Sequence, residues 1–163
     1  MNYQKIIDYK NIEKVLNVHR KKKKIIVQCH GAFDLLHIGH LKHFETAKKK
    51  GDILIVSVTP DQFIDKGFNR PFFNLNTRMS TIAALDIVDY VVPSDYATSI
   101  KNIKLIKPDV YCKGPDYANH KDLTGNLKKE LQILKKNKGK LKFKNTKQYS
   151  SSSIINNISP NLN

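Results

Sequence analysis

Two histidines three residues apart, His37 and His40, stand on either side of Ile38-Gly39 at the end of the stretch HGAFDLLHIGH, residues 30–40. The stretch follows an apolar run and opens a helical pattern, yet it is neither a Walker A loop nor a GxGxxG fingerprint. Its chemistry would be that of phosphate. Gly31 allows the backbone a close approach, a helix start presents free N–H groups and partial positive charge, and imidazoles there can donate to the same oxygens. A pair so placed could stabilise charge on a pentavalent phosphorus with no covalent intermediate. Two other readings stand beside it. Loop histidines are commonly polar surface residues, the reading given to His19, His30 and His120. His37, His40 and His43 also recur at i, i+3 and i+6, but zinc would require a further ligand, and His43 turns about 60° from His40 on a regular helix. Spacing alone leaves these readings open.

The elements that must hold these residues can be read from apolar periodicity. Between Tyr3 and Arg20, the residues Ile6, Tyr9, Ile12, Val15, Leu16 and His19 fall at three-to-four spacing, which predicts a flanking helix over 3–20 before the basic run 20–24. Apolar runs at 25–29, 53–58, 88–92, 109–113 and 140–143 predict five strands. Helices are expected from His37 to Gly51, briefly around Phe63, over 77–85 behind Asn76 as cap, over 97–106 before Pro108, over 123–134, and briefly over 151–157. Strands that are continuous apolar runs, separated by helices, predict an α/β class: a Rossmann-like, doubly wound, parallel five-stranded sheet in a single domain. Ligands of such sheets bind at the carboxyl ends of the strands where the winding reverses, so the site is expected just past the first strand. The domain is expected over 1–158, with a frayed tail over 159–163.

The composition narrows the classes further. A chain of 163 residues, 40% hydrophobic and with 7 Gly and 6 Pro, can build a core without staples and is neither collagen-like nor disordered. No apolar stretch approaches the ~20 residues that span a bilayer, and no secretory signal is visible, so no membrane partner is expected. The two cysteines, Cys29 and Cys112, lie far apart in apolar runs with no basic partner evident, and are expected to be free packing thiols in a reducing cytoplasm. The net charge of +15 suggests an anionic partner, yet 26 of the 29 basic residues are Lys and only 3 are Arg. Lys lacks the planar fork that grips phosphates and guanine edges. With 15 Asn and 18 Ile, the surplus reads as compositional bias, and nucleic acid is not expected as a partner.

GAFDLLHIGH resembles the GxFDxxHxGH signature of the HxGH nucleotidyltransferases, the superfamily of cytidylyltransferases and related adenylyltransferases. The similarity runs through almost the whole chain. AKKKGDILIVSVTPD resembles the family's second helix and strand, and KGFNRPFFNLNTRMSTIAALDIVDYVV resembles one branch, the heptose-1-phosphate adenylyltransferase domain of ADP-heptose synthases. The N-terminal helix, IKPDVYCKGPDY at 106–117, Leu123-Thr124-Gly125 and the serine run before Ile154 match that branch in order and spacing. Two departures stand out. Ser150-Ser151-Ser152 replaces the usual STT and keeps the hydroxyls, whereas KGPDY replaces a glycine-richer version, and Pro115 removes a backbone donor.

The resemblance implies that His37 and His40 contact the triphosphate in the transition state, while Gly31, Ala32, Phe33 and Gly39 shape the nucleotide pocket. It implies that Lys66, on a mobile loop, neutralises phosphate charge, that Arg78 reaches the substrate phosphate, and that Lys113, Gly114, Asp116 and Tyr117 line the base. It gives Ser150, Ser151 and Ser152 to the β or γ phosphates. The plainer readings are a solvated Lys66, an exposed helix-start Arg78, a turn-capping Asp116 and N-capping serines. No protein metal ligand is expected. The implied enzyme is a nucleotidyltransferase that moves a nucleotidyl group from a nucleoside triphosphate, ATP, to a heptose-1-phosphate-like sugar phosphate in surface-glycan biosynthesis. Pyrophosphate leaves and Mg²⁺ bridges the phosphates. The alternatives are a CTP-dependent cytidylyltransferase for glycerol 3-phosphate, disfavoured because NTKQYSSSS lacks the arginine of RTEGISTT, and a non-enzymatic basic nucleotide- or nucleic-acid-binding module. A homodimer is left open.

Overall fold

The run Ile53–Val58 is buried at every residue, as a strand with helices on both its faces must be. In the computed structural model, which describes residues 3–65, 67, 69–96, 98–114 and 126–143, it is β2 of five parallel strands. The others are β1 (Ile26–Gly31), β3 (Tyr90–Pro93), β4 (Val110–Lys113) and β5 (Lys140–Phe143). Their order is β3-β2-β1-β4-β5. The chain therefore winds outward from β1 through β2 to β3, returns to the other side of β1 as β4, and ends at β5. The winding reverses between β1 and β4, and the sheet is the Rossmann-like single-domain α/β fold that the alternation of elements predicts.

Helix α2 (Ile38–Lys48) and α3 (Leu75–Ala83) cover one face. Phe44, Ala47, Met79 and Ile82 pack there against Val27, Cys29, Leu54, Val56, Val91 and Cys112. The opposite face carries α1 (Ile12–Lys21), α4 (Ile100–Ile106) and α5 (Leu127–Lys136). Ile12, Leu16 and Ile106 meet Ile26, Ile53, Ile55 and Val92, while Ile103 and Leu134 meet Tyr111. Among the described residues no helix is long and apolar enough to cross a membrane.

The single helix expected over 3–20 is not what forms. A 3-10 turn at Tyr3–Lys5 leads into Ile6, which bridges in parallel to Val91, and the Ile7 N–H bonds the Val91 carbonyl at 2.9 Å. Asp8 then accepts from the Lys10 N–H at 2.9 Å and turns the chain into α1. Ile6 fits the helical period, but the open edge of β3 offers it a backbone partner and a place beside the core. Helix α3 also starts earlier than expected, because Asn74 and not Asn76 caps it, its Oδ1 accepting from the Thr77 N–H at 2.9 Å.

Candidate active site

The site grows from the carboxyl end of β1. After Gly31 the chain turns through Phe33, whose φ of +49° is left-handed. The Phe33 ring folds back over Gly31, where a Cβ would come within 3.0 Å of Cζ, so a side chain at Gly31 would displace it. The same ring stands edge-on to His40, with centroids 5.3 Å apart, and against Phe44 at 5.1 Å. His37, in extended backbone, is the N-cap of α2, and its Nδ1 accepts from the Gly39 N–H at 3.1 Å. That bond places the proton of the neutral ring on Nε2. The imidazoles of His37 and His40 stack with centroids 3.9 Å apart and an interplanar angle of 21°. Burial pulls His37 below the ordinary histidine range, so its imidazole rests uncharged near neutrality, beside the positive end of α2. The motif thus becomes a set of donors at the switch point, electrostatically suited to an incoming polyanion.

Behind it lies Asp34, a residue the sequence reading passed over. Its carboxylate accepts from the Phe72 and Phe73 N–H groups, each at 2.9 Å, and pairs with Arg70 at 2.8 Å. Burial would raise this carboxyl, but the two backbone donors and the guanidinium outweigh it and hold it below the usual range. Asp34 thereby ties the loop bearing the histidines to the stretch before α3. The signal for it was an acid set between Phe33 and Leu35, a charged group inside an apolar run.

Arg78, expected at a substrate phosphate or exposed on a helix start, is neither. Its side chain is fully buried. Nε donates to the Phe73 carbonyl at 2.9 Å, one terminal nitrogen to the Ala32 carbonyl, and the other to the Thr59 carbonyl at 2.8 Å and to Asp61 Oδ1 at 2.6 Å. These bonds take four of the fork's five N–H donors, so Arg78 clamps the loops after β1 and β2 to the approach to α3. Ala32 enters this arrangement through its carbonyl.

At the carboxyl end of β4, Lys113 turns to the α5 face, where its ammonium pairs with Glu130 Oε2 at 2.5 Å. Glu130 Oε1 in turn accepts from the Ser99 hydroxyl. The Lys113 side chain is therefore not turned to the place expected for a base, and at Gly114 a Cβ would meet open space. His30 is no surface residue either: Nδ1 lies 3.0 Å from the Ser57 hydroxyl, and burial followed by the Lys113 charge pushes it down to about 4. His19 Nε2 lies 2.8 Å from the Tyr90 hydroxyl. Lys66, Asp116, Tyr117, Ser150, Ser151, Ser152 and His120 lie outside the described residues. Among the described ones, no group of three or more His, Cys, Asp or Glu could hold a metal ion.

The family described as cytidylyltransferase-like matches residues 28–157, from β1 onward and through both histidines. The chain belongs to the cytidylyltransferase-like family. It is a nucleotidyltransferase of that family, as the HxGH signature implies. Its curated relatives include the bifunctional protein HldE of Helicobacter pylori strain Shi470, 35% identical over 163 residues that cover 99% of this chain and 33% of the relative. HldE of Aliarcobacter butzleri is 38% identical over 153 residues, covering 91% and 32%. The chain thus spans about a third of the length of the curated relatives it matches. Among solved structures, the lipopolysaccharide core biosynthesis protein of Thermoplasma volcanium superposes with a TM-score of 0.61 at 27% identity, covering 78% of this chain and 99% of that one. A pantoate-beta-alanine ligase of Francisella tularensis, at 19% identity and a TM-score of 0.52 over 90% and 68%, shares the fold.

Proposed function

We propose that the chain transfers an adenylyl group from ATP to a sugar 1-phosphate, of heptose type, and releases pyrophosphate. The observation that carries the reading is the stacked His37–His40 pair at the N-terminus of α2, beyond the carboxyl end of β1 at the switch point. The adenylyl branch and the acceptor rest on the block KGFNRPFFNLNTRMSTIAALDIVDYVV, on the similarity of nearly the whole chain to a third of HldE, and on a solved relative named for lipopolysaccharide core biosynthesis.

The acceptor phosphate needs no general base, because its attacking oxygen is already ionised at neutral pH. It approaches the α-phosphorus in line, a P–O bond forms, and the bond to the β-phosphate oxygen breaks to release pyrophosphate. His37 Nε2–H, His40 and the positive end of α2 face the charge that develops on the α and β oxygens. Substrate phosphates raise the His37 pKa that burial had lowered, so this donor strengthens once the anion is bound. Lys66 neutralises charge on the departing pyrophosphate, and Asp116, Tyr117 and Ser150 to Ser152 complete the base and phosphate contacts. Mg²⁺ would accompany the nucleotide and would offset phosphate charge as pyrophosphate leaves.

The test is pyrophosphate release with ATP, CTP, UTP and GTP, each against heptose 1-phosphate, other sugar 1-phosphates and glycerol 3-phosphate. A pocket that hydrogen-bonds one base rejects others strongly, so one row should dominate. Turnover with CTP and glycerol 3-phosphate above that with ATP and every sugar 1-phosphate would overturn the branch and leave the HxGH mechanism standing.

A further inference from the structure

Cys29 and Cys112 are separated by about half of the 163-residue chain, yet the reversal of winding makes them register partners on β1 and β4. Residues opposite each other in a sheet point to the same face, and both thiols lie in the core cluster beneath α2. Parallel strands run about 4.8 Å apart, within the ~4.4–6.8 Å Cα window of bridged cysteines. The two are not equivalent. Cys29 is wholly enclosed, whereas Cys112 keeps 5% of its surface exposed and borders a small recess between α2 and β5, together with Thr46, Lys50 and Lys142. The recess leaves Cys112, and not Cys29, on the side open to solvent, beside Lys50 and Lys142.

We infer that Cys29 and Cys112 form a dithiol oxidation site, in which Cys112 reduces a hydroperoxide and Cys29 closes the pair into a disulfide. The thiol environment supports this order. The hydrogen bond from Cys29 lowers the Cys112 thiol against the effect of burial, and the Lys50 charge adds to it, while burial raises Cys29. Cys112 thiolate attacks one peroxide oxygen: an S–O bond forms, the O–O bond breaks, and the other oxygen leaves as water or alcohol after taking a proton. Cys29, giving up its proton, then attacks the Cys112 sulfur, and the sulfenic oxygen departs as a second water. Overall two thiols and one hydroperoxide give one disulfide, one alcohol or water, and one water.

The bond would not be silent. In parallel register the Cβ atoms follow the strand spacing of about 4.8 Å, whereas a disulfide draws them to about 3.5–4.5 Å. Closure therefore pulls β1 and β4 together one residue before His30 and Lys113, under the switch point. The effect on turnover rests on the proposed nucleotidyl transfer, but the thiol chemistry does not.

The test treats the reduced full chain with hydrogen peroxide. The chain has 2 cysteines, so an intramolecular disulfide has a single assignment. Both thiols should disappear together in a titration under denaturing conditions, with the chain still monomeric on a non-reducing gel. Cys29→Ser should stop at a dimedone-reactive sulfenic acid on Cys112, and Cys112→Ser should stay unlabelled; Cys29→Ala and Cys112→Ala repeat the comparison should a serine disturb the core. Surviving thiols, a purely intermolecular link, or dimedone on Cys29 in the Cys112 variant would overturn the inference. Pyrophosphate release should fall on oxidation and return with dithiothreitol; an oxidised chain with full turnover overturns the coupling to the site. A chain inactive before oxidation counts against the functional reading and not against the thiols.

Discussion

Replacing Arg78 separates a phosphate ligand from a structural clamp. In Arg78→Ala the Phe73, Ala32 and Thr59 carbonyls lose their donor together, and Asp61 loses its ion partner. Each buried group left unpaired costs roughly 1–3 kcal/mol, and breaking a buried ion pair from one side about 3–5 kcal/mol. These overlap, because Asp61 is 42% exposed and water can reach it. A total near 4 kcal/mol is expected, a large part of the ~5–15 kcal/mol that holds a domain together. With a urea slope of about 2 kcal/mol per molar, the unfolding midpoint should drop by about 2 M. Arg78→Lys should recover little, since a point charge on a single stem cannot span three carbonyls and a carboxylate. Asp61→Asn, removing only the half-exposed partner, should cost about 1 kcal/mol. Urea unfolding followed by circular dichroism, beside KM for both substrates, decides the matter. An Arg78→Ala protein that unfolds at the wild-type midpoint but shows a raised KM for the phosphorylated substrate, rescued by Lys, would refute the clamp and restore the ligand.

Three further outcomes are expected. His37→Ala and His40→Ala should each lower turnover about 100-fold or more, the scale of losing one preorganised donor to a developing oxyanion, with folding retained; a folded His40→Ala protein of full activity would remove the mechanism. Lys66→Ala should slow turnover and weaken nucleotide binding, and unchanged kinetics would make Lys66 a solvated lysine. The pKa of His30 lies at about 4, below the ordinary value near 6.5, so the unfolded chain takes up this proton first. The contribution of neutral His30 is thus complete above about pH 6.5 and is lost as the pH falls towards 4, by up to about 3 kcal/mol. Midpoints measured at pH 7 and pH 4.5 should diverge more for the wild type than for His30→Gln, and parallel shifts would contradict the assignment.

The elements were legible in the sequence where a single pattern governed them. Ile53–Val58 and Lys140–Phe143 form at the expected boundaries because each is an apolar or alternating run between turn residues. The N-terminal helix was misjudged because Ile6 satisfies a helical period and an edge-strand partner equally well, and only the position of β3 decides between them. The placement of the histidine pair was legible because its determinants are local: cap, glycine and helix start lie within four residues.

Charged side chains were less legible for a physical reason. A sequence gives the charge of Arg78 and Lys113 but not the direction in which each side chain leaves its element, and that direction decides between ligand and clamp. Arg78, one turn into α3, points towards the carboxyl ends of β1 and β2, where unpaired carbonyls of the turning loops converge; burying a guanidinium there costs less than leaving those carbonyls dry. Lys113, in register with Phe143, points to the α5 face and meets Glu130. Both residues sit at the strand ends where a phosphate would be sought, and both neutralise the protein's own oxygens instead. Among the described residues, what the proposed triphosphate would meet past β1 is the stacked imidazoles of His37 and His40 at the positive end of α2. Such donors gain strength as charge develops on the substrate and bind the uncharged alternatives weakly, which is how a site can favour the transition state over the ground state.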